Sequence, residues 1–410
     1  MSTSRTPLFL MQRTVLSAHL PTYRLPSSPP TTAPTRSNAM SQSLSASSPT
    51  PGKPAPMGRT GRTLKVLGSA LLLGALLAAA ATTAHSQTAV RWLSQSQTTS
   101  SQYPVEFSAM ESLNGSSFKV DRKEFQSIGI NMSDGLRLIR AGSFDVASIQ
   151  VGLVAGDDAF LEGIDLIGVS TDIKQLRAAV NAYRAAFTDR LEKRFGVRPL
   201  ALWPFGDQIF FCNEPIATLD DLKGKKVRSF TASMSSLLQG LGAAPVTLAF
   251  PEVYPALQRG VASCGITSAT SANTGKWMEV TTHILPLSVS GAVQAHVVNL
   301  AWWNKLTAQQ KAALEAQFTD MENKLWDVAA KTNGVALACS TGGTCDDKLY
   351  KSYNLKLVKL ADGDFRRLNT ITQNVILGDW AARCERVYPG CTKVWNESVG
   401  AARSITVPAR

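Results

Sequence analysis

Asp220-Asp221-Leu222-Lys223-Gly224-Lys225-Lys226-Val227-Arg228 reads as a short helical turn, a glycine stop and a strand that ends on an arginine. Thr218 with Asp221 makes a box-like cap for the turn, and Gly224 closes it. The same grammar continues downstream. Met234 to Leu241 is a helix closed by Gly242, and Pro245-Val246-Thr247-Leu248 is a strand. Pro251 sits near the start of a helix that runs to Arg259 with Gly260 past its end, and Cys264-Gly265-Ile266-Thr267 is the next strand. Strands alternating with helices predict a mainly parallel sheet with helices on its faces. Ligands of such sheets bind beyond the carboxyl ends of the strands, where Arg228 lies. A guanidinium leaving a strand into a cleft can hold a carboxylate through two parallel hydrogen bonds.

Upstream, Val90 to Leu93 is a short strand followed by a polar loop over 94–99, and Phe118 to Ile130 alternates enough to be a second strand. Ser133 can cap a helix over 134–140 that stops at Ala141-Gly142, and 144–149 is a third strand. The opening pattern is β-α-β-α-β. Leu176, Val180, Tyr183, Phe187 and Leu191 recur at helical spacing within 172–195, and a strand follows over 200–204. Thr307 with Gln310 is a capping box before a long helix to roughly Lys331. Residues 364–377 carry further helical text.

The first 86 residues read differently. Residues 1–56 are rich in Ser, Thr and Pro and lack the apolar periodicity that builds a core. Met57 is followed by Arg59, Arg62 and Lys65, an apolar run from Val66 to Ala78, small residues and Ala84-His85-Ser86. That order is a secretory signal cleaved near Ser86, with Met57 as the natural start. An amino-terminal anchor is the alternative, but the apolar run falls short of the roughly 20 residues a span requires. Eight of the 42 Lys and Arg, and none of the 30 Asp and Glu, lie in residues 1–86, so the exported part keeps an excess of only four positive charges. No dense basic stripe remains, and nucleic acid is not expected as a partner.

Six cysteines follow the leader, an even count in an exported chain, which points to disulfides. Cys339 and Cys345 flank a flexible Ser-Thr-Gly-Gly-Thr loop, and Cys384 and Cys391 flank a Tyr-Pro-Gly turn. Cys212 is left with Cys264, and buried free thiols are the alternative.

The motifs of common enzymes are missing. There is no G-x-S-x-G elbow, Walker loop, G-x-G-x-x-G after a strand, or H-E-x-x-H. Ser116-Ser117-Phe118-Lys119 matches S-x-x-K without its companion motifs, and these serines read as turn residues. His283 and His296, the two histidines after the leader, form no metal-ligand spacing, so neither metal nor cofactor is expected. What remains is Arg228 followed by Phe230 and Thr231, Phe250 at the end of the strand after next, and Thr267, Ser268, Thr270 and Asn273 after another strand. One fixed cation, neutral hydrogen-bonding groups and aromatic walls make a site for a small acid rather than a reaction centre. Trp203 and Trp277 are either cleft walls or core. Gln95 and Gln150, at the ends of amino-terminal strands, either close on the ligand or are solvated loop groups.

The blocks 221–228, Leu241-Gly242-Ala243-Ala244-Pro245-Val246 and Phe250-Pro251-Glu252-Val253-Tyr254-Pro255-Ala256-Leu257-Gln258-Arg259-Gly260-Val261 resemble, in order and spacing, the substrate-binding proteins of TRAP transporters (the DctP-like family). Ile266-Thr267-Ser268, Trp277 to His283 and Trp302-Trp303-Asn304 continue the resemblance, which is firm over about 205–315. It implies an α/β, two-domain periplasmic binding protein fold of type II-like form, with a ligand cleft between the domains and a long connecting helix. Domain I would comprise 88–205 plus about 294–333, and domain II about 206–293 plus 334–410. The resemblance also implies that Arg228 binds the ligand carboxylate, and that a monomeric periplasmic receptor hands a small organic acid to TRAP membrane permease subunits. Gln208 stands where many members carry a second arginine, and Thr267 where many carry a ligand-facing Asn. An ABC importer or a sensor kinase as the partner, or an exported α/β hydrolase, are the other readings.

Overall fold

The computed structural model describes residues 87–96, 100–346 and 348–408. The extension over 1–56 and the secretory signal over 57–86 lie outside the described residues. In chain order the strands are β1 (Thr88–Ser94), β2 (Phe118–Glu124), β3 (Val146–Gln150), β4 (Val197–Pro204), β5 (Gln208–Cys212), β6 (Lys226–Ser229), β7 (Ala244–Thr247), β8 (Cys264–Ser268), β9 (His283–Leu285), β10 (Val293–Asn299) and β11 (Lys356–Leu357). They form a five-stranded sheet ordered β2-β1-β3-β10-β4 and a six-stranded sheet ordered β11-β9-β5-β8-β6-β7.

The two-sheet α/β architecture is the one anticipated, and the exceptions to parallel pairing are informative. β10 runs antiparallel to β3 and β4, and β5 runs antiparallel to β8 and β9. Each is the strand on which the chain arrives from the other sheet. β4 continues through 205–207 into β5, and β9 continues through 286–292 into β10. The two crossings are tied together, with Gly206 N donating to Gly291 O at 3.1 Å and Gln208 N to Ser290 O at 2.9 Å.

The helix Ala308–Ser340 is longer than its sequence pattern indicated; the Thr307–Gln310 capping box is present as expected. At 1.5 Å per residue it is about 50 Å long. Its amino-terminal half packs Leu314, Phe318, Met321 and Leu325 into the core of the first sheet, and its last turns carry Ala336 and Cys339 into that of the second. Burial of those last residues carries the helix through Asn333-Gly334, a poor helix-forming pair. The helix Tyr103–Asn114, with Pro in its first turn, was not anticipated; it buries Glu106, Ala109, Met110 and Leu113.

The carboxyl-terminal segment corrects the expected domain boundary. Residues 334–410 were placed with the second sheet, but Leu377, Trp380, Cys384, Cys391, Trp395 and Val407 belong to the core of the first. Two buried indoles fix them there, Trp380 Nε1 donating to Ala159 O and Trp395 Nε1 to Gly163 O, each at 2.8 Å. All three cysteine pairs are joined as read: Cys212–Cys264, Cys339–Cys345 and Cys384–Cys391. Among the described residues no helix is long and apolar enough to cross a membrane.

The crossings have their own chemistry. Gly206 has φ +110°, and a Cβ there would lie 1.8 Å from Asn333 Nδ2 on the long helix. A side chain at 206 would strain the backbone and displace the helix. Beside it, Asp165 is half-buried and accepts hydrogen bonds from Val293 N at 3.1 Å and Ser290 Oγ at 3.2 Å. Burial pushes its carboxyl up to about 6, against the opposing pull of those bonds.

Gly206→Ala should therefore lower unfolding stability by about 1–3 kcal/mol in a denaturant melt; a neutral result would mean that the crossing yields without strain. Asp165 holds its proton more tightly folded than unfolded, where a carboxyl titrates near 3.9. Its contribution is complete below about pH 4 and is lost as the pH rises through 6, amounting to about 3 kcal/mol. Asp165→Asn should flatten the change of melting temperature between pH 4 and 6.5; an unaltered slope would show that Asp165 ionises as an ordinary surface carboxyl.

Candidate functional site

Arg228 is the third residue of β6, the strand that lies between β7 and β8, with all three parallel. Its Nε donates to Leu248 O at 3.1 Å, just beyond β7, and its Nη1 donates to Ile266 O at 2.8 Å in β8. The guanidinium is thus tied to the strand on either side. It packs over the Phe230 ring at 4.7 Å and the Trp277 ring at 5.7 Å, and Trp277 stacks on Phe250. Gly265 makes that floor possible, since a Cβ there would come within 2.7 Å of the Trp277 indole. The short helix and glycine stop read before β6 are present, with the Thr218–Asp221 box formed and Gly224 at φ +76°.

Arg228 is 3% exposed. Among the described residues it forms no ion pair, and Nη2 makes no hydrogen bond. Burial pulls the guanidinium down to about 9, partly offset by the charge of Glu252. It remains a cation at neutral pH, and its desolvation is only partly compensated. The group faces a cavity of about 90 Å3.

Both sheets supply the lining. Gln95, just beyond β1, and Gln150, the last residue of β3, come from the first; Gln208, Arg228, Phe230, Phe250 and Thr267 come from the second. Seven of the residues read from the sequence therefore meet at one cavity. Four do not reach it. Trp203 is fully buried in the first core, where its Nε1 donates to His296 Nδ1 at 2.9 Å. His296 Nε2 then faces Glu106 Oε1 at 3.2 Å, and Glu106 also accepts from Trp92 Nε1, so the indole belongs to a buried polar network. Ser268 caps the helix Ala269–Thr274, accepting from Ser271 N at 3.2 Å. Asn273 is used on both amide atoms by the backbone of Lys351. Thr231 caps the helix Ala232–Gly240 and lines a neighbouring opening with Gly152 and Glu162. Ser and Thr after a strand that runs into a helix are caps first, a competition that a motif reading does not resolve.

The sequence reading also missed lining residues. Ser96 and Gln126 follow β1 and β2 and could have been found by the strand-end rule that picked out Gln95. Phe205 and Ala292 come from the two crossings, and no local signal marks them. The lining holds one charged residue, Arg228, with no carboxylate, histidine or cysteine among the described residues. It can hold a small anion in place, and it lacks a nucleophile paired with a base.

A family model described as bacterial extracellular solute-binding protein, family 7 (DctP), matches residues 128–339. The chain is similar to the C4-dicarboxylate-binding periplasmic protein DctP of Rhodobacter capsulatus, 31% identical over 153 residues that make up 37% of this chain and 46% of that one. It is also similar to a solute-binding protein of Albidiferax ferrireducens, 28% identical over 261 residues, 62% of this chain and 72% of that one. The chain thus spans about half the length of the first relative and nearly three quarters of the second. In fold it is similar to DctP6, a Bordetella pertussis extracytoplasmic solute receptor binding pyroglutamic acid, with a TM-score of 0.67 at 16% identity, covering 77% of this chain and all of that one. The family match takes in more than half of the residues and contains Arg228 and both crossings, and the chain accordingly belongs to family 7 of the bacterial extracellular solute-binding proteins, the DctP family.

Proposed function

We propose that this chain is a periplasmic receptor that captures a small organic acid and delivers it to the membrane subunits of a TRAP-type transporter. The buried Arg228 carries this reading: a cation facing a small cavity without a paired carboxylate is matched by a carboxylate brought from outside. Two of its donors are committed to backbone carbonyls, so the guanidinium is already oriented when the ligand arrives, and little ordering is left to oppose binding. Capture proceeds without chemistry.

In this reading the lobes are 88–205 with about 294–333, joined by 377–407, and about 206–293 with 334–376. The ligand touches residues from both, so it binds the closed arrangement more tightly than the open one and shifts the population toward closure. The two crossings, with Gly206 and Asp165, are where the motion is absorbed. The chain acts as a monomer after removal of its signal near Ser86. Membership of the family supports the transporter assignment, and the three disulfides suit an oxidising compartment.

Arg228→Ala should raise the Kd of a bound acid at least 30-fold, a loss of about 2–5 kcal/mol, while the far-UV circular dichroism is retained. Unchanged affinity in calorimetry would sink the clamp. In a thermal-shift screen, an acid at a hundred times its Kd should stabilise the protein by about 2.7 kcal/mol. The primary amide of the same acid should give no shift, and an equal shift from the amide would rule out charge recognition.

A further inference from the structure

Deepening that proposed function, and resting on it, we infer that the captured acid is a compact monocarboxylate bearing a neutral O–H or N–H donor, and that Gln95 reads this donor. The direction of one hydrogen-bond relay carries the inference. It ends on the carbonyl of Ala292 in the second crossing, which can only accept. Gln294 Nε2 donates to that carbonyl at 2.9 Å, which turns Gln294 Oε1 toward Gln95. Gln95 Nε2 donates to Gln294 Oε1 at 2.7 Å. Both amides are therefore fixed in orientation from the backbone end. Gln95 Oε1 is left on the other side of its amide, buried and without a donor among the described residues.

A buried acceptor of this kind is worth most to a ligand that brings a donor, and works against one that brings only an acceptor or a methylene. The backbone of Gln95 is held as well, its N–H donating to Ser148 Oγ at 2.7 Å, so the acceptor is pre-positioned. Ser100 Oγ, also on the cavity wall, is buried and without a partner among the described residues, and its hydroxyl can turn to suit the same group. Charge completes the specification. Gln208 on the cavity wall is neutral and buried, with its Nε2 on Gly206 O at 2.7 Å. Arg228 is the one charged residue of the lining among the described residues, so a second ligand carboxylate would be buried without a countercharge. The apolar part of the wall, Met132, Phe205, Phe230, Phe250 and Ala292, suits a short apolar body.

The test is calorimetry on the exported chain with matched pairs of acids: 2-hydroxybutyrate against butyrate, and 5-oxopyrrolidine-2-carboxylate against cyclopentanecarboxylate, with succinate as the doubly charged control. In at least one pair the donor-bearing acid should bind ten-fold or more tighter than its twin, and tighter than succinate. Gln95→Met should shrink that gap to less than three-fold. Gln95→Asn, which keeps the amide but withdraws the acceptor, should behave likewise. The wild-type pairs speak for themselves if either variant fails to fold. Twins of equal affinity, tighter binding of succinate, or a gap that survives both variants would overturn this inference and leave the organic-acid reading standing. If the folded protein binds none of the five acids, the proposed function fails and this inference goes with it.

Discussion

The Arg228 guanidinium is held out of water by two backbone carbonyls and two aromatic rings, and among the described residues no carboxylate is paired with it. A buried cation in that condition is destabilising unless the surrounding fold keeps it there for another reason. The surrounding fold does so through ordinary packing. β6 must lie between β7 and β8 to place both carbonyls, β8 must carry Gly265 to admit Trp277, and Trp277 must stack on Phe250 to close the floor. The core of the second sheet therefore sustains the charge, and the cavity receives the part of its hydrogen-bonding capacity that the core leaves over.

The opposite wall uses a different device. Gln95, Gln150 and Gln294 lie at or near the cavity ends of β1, β3 and β10, and Gln294 pairs with Gln150 in the antiparallel ladder. Amides can donate and accept, so on their own they specify little. The Ala292 carbonyl imposes a direction on two of them and turns a pair of ambiguous groups into a defined acceptor. The second sheet thus offers a charge and the first a dipole. The crossing that links the sheets sets the sign of that dipole.

Much of this was legible in the sequence because the responsible signals are local. The Thr218–Asp221 box, Gly224 and the strand that carries Arg228 depend on neighbours within a few residues. The alternation of strands and helices carried the fold class in the same way. The unread parts depend on distant partners. Trp203 reads equally well as wall or core until His296, 93 residues on, takes its N–H. Residues 377–407 carry a helical pattern that says nothing about which sheet they cover, and two indole hydrogen bonds to residues over 200 positions earlier decide it. Gln208 was legible only as a departure from a family pattern, and its use on Gly206 O follows from the turn in the crossing.

The chain's departure from the first sheet after β4 and its return at β10 govern how the chain can assemble over time. β10 is an inner strand of the first sheet, yet it is read out some 90 residues after β4, the neighbour it joins to β3. A chain emerging amino terminus first therefore presents β3 and β4 with open edges until residue 299 is out. During that interval the first sheet has two unpaired faces of backbone hydrogen-bonding groups, the feature that most invites pairing with another chain. A piece ending at the first crossing would lack β10, the antiparallel strand that joins β3 to β4. Completion of the fold is in this sense vectorial, and the late segment that finishes the sheet also brings the carbonyl that orients Gln95.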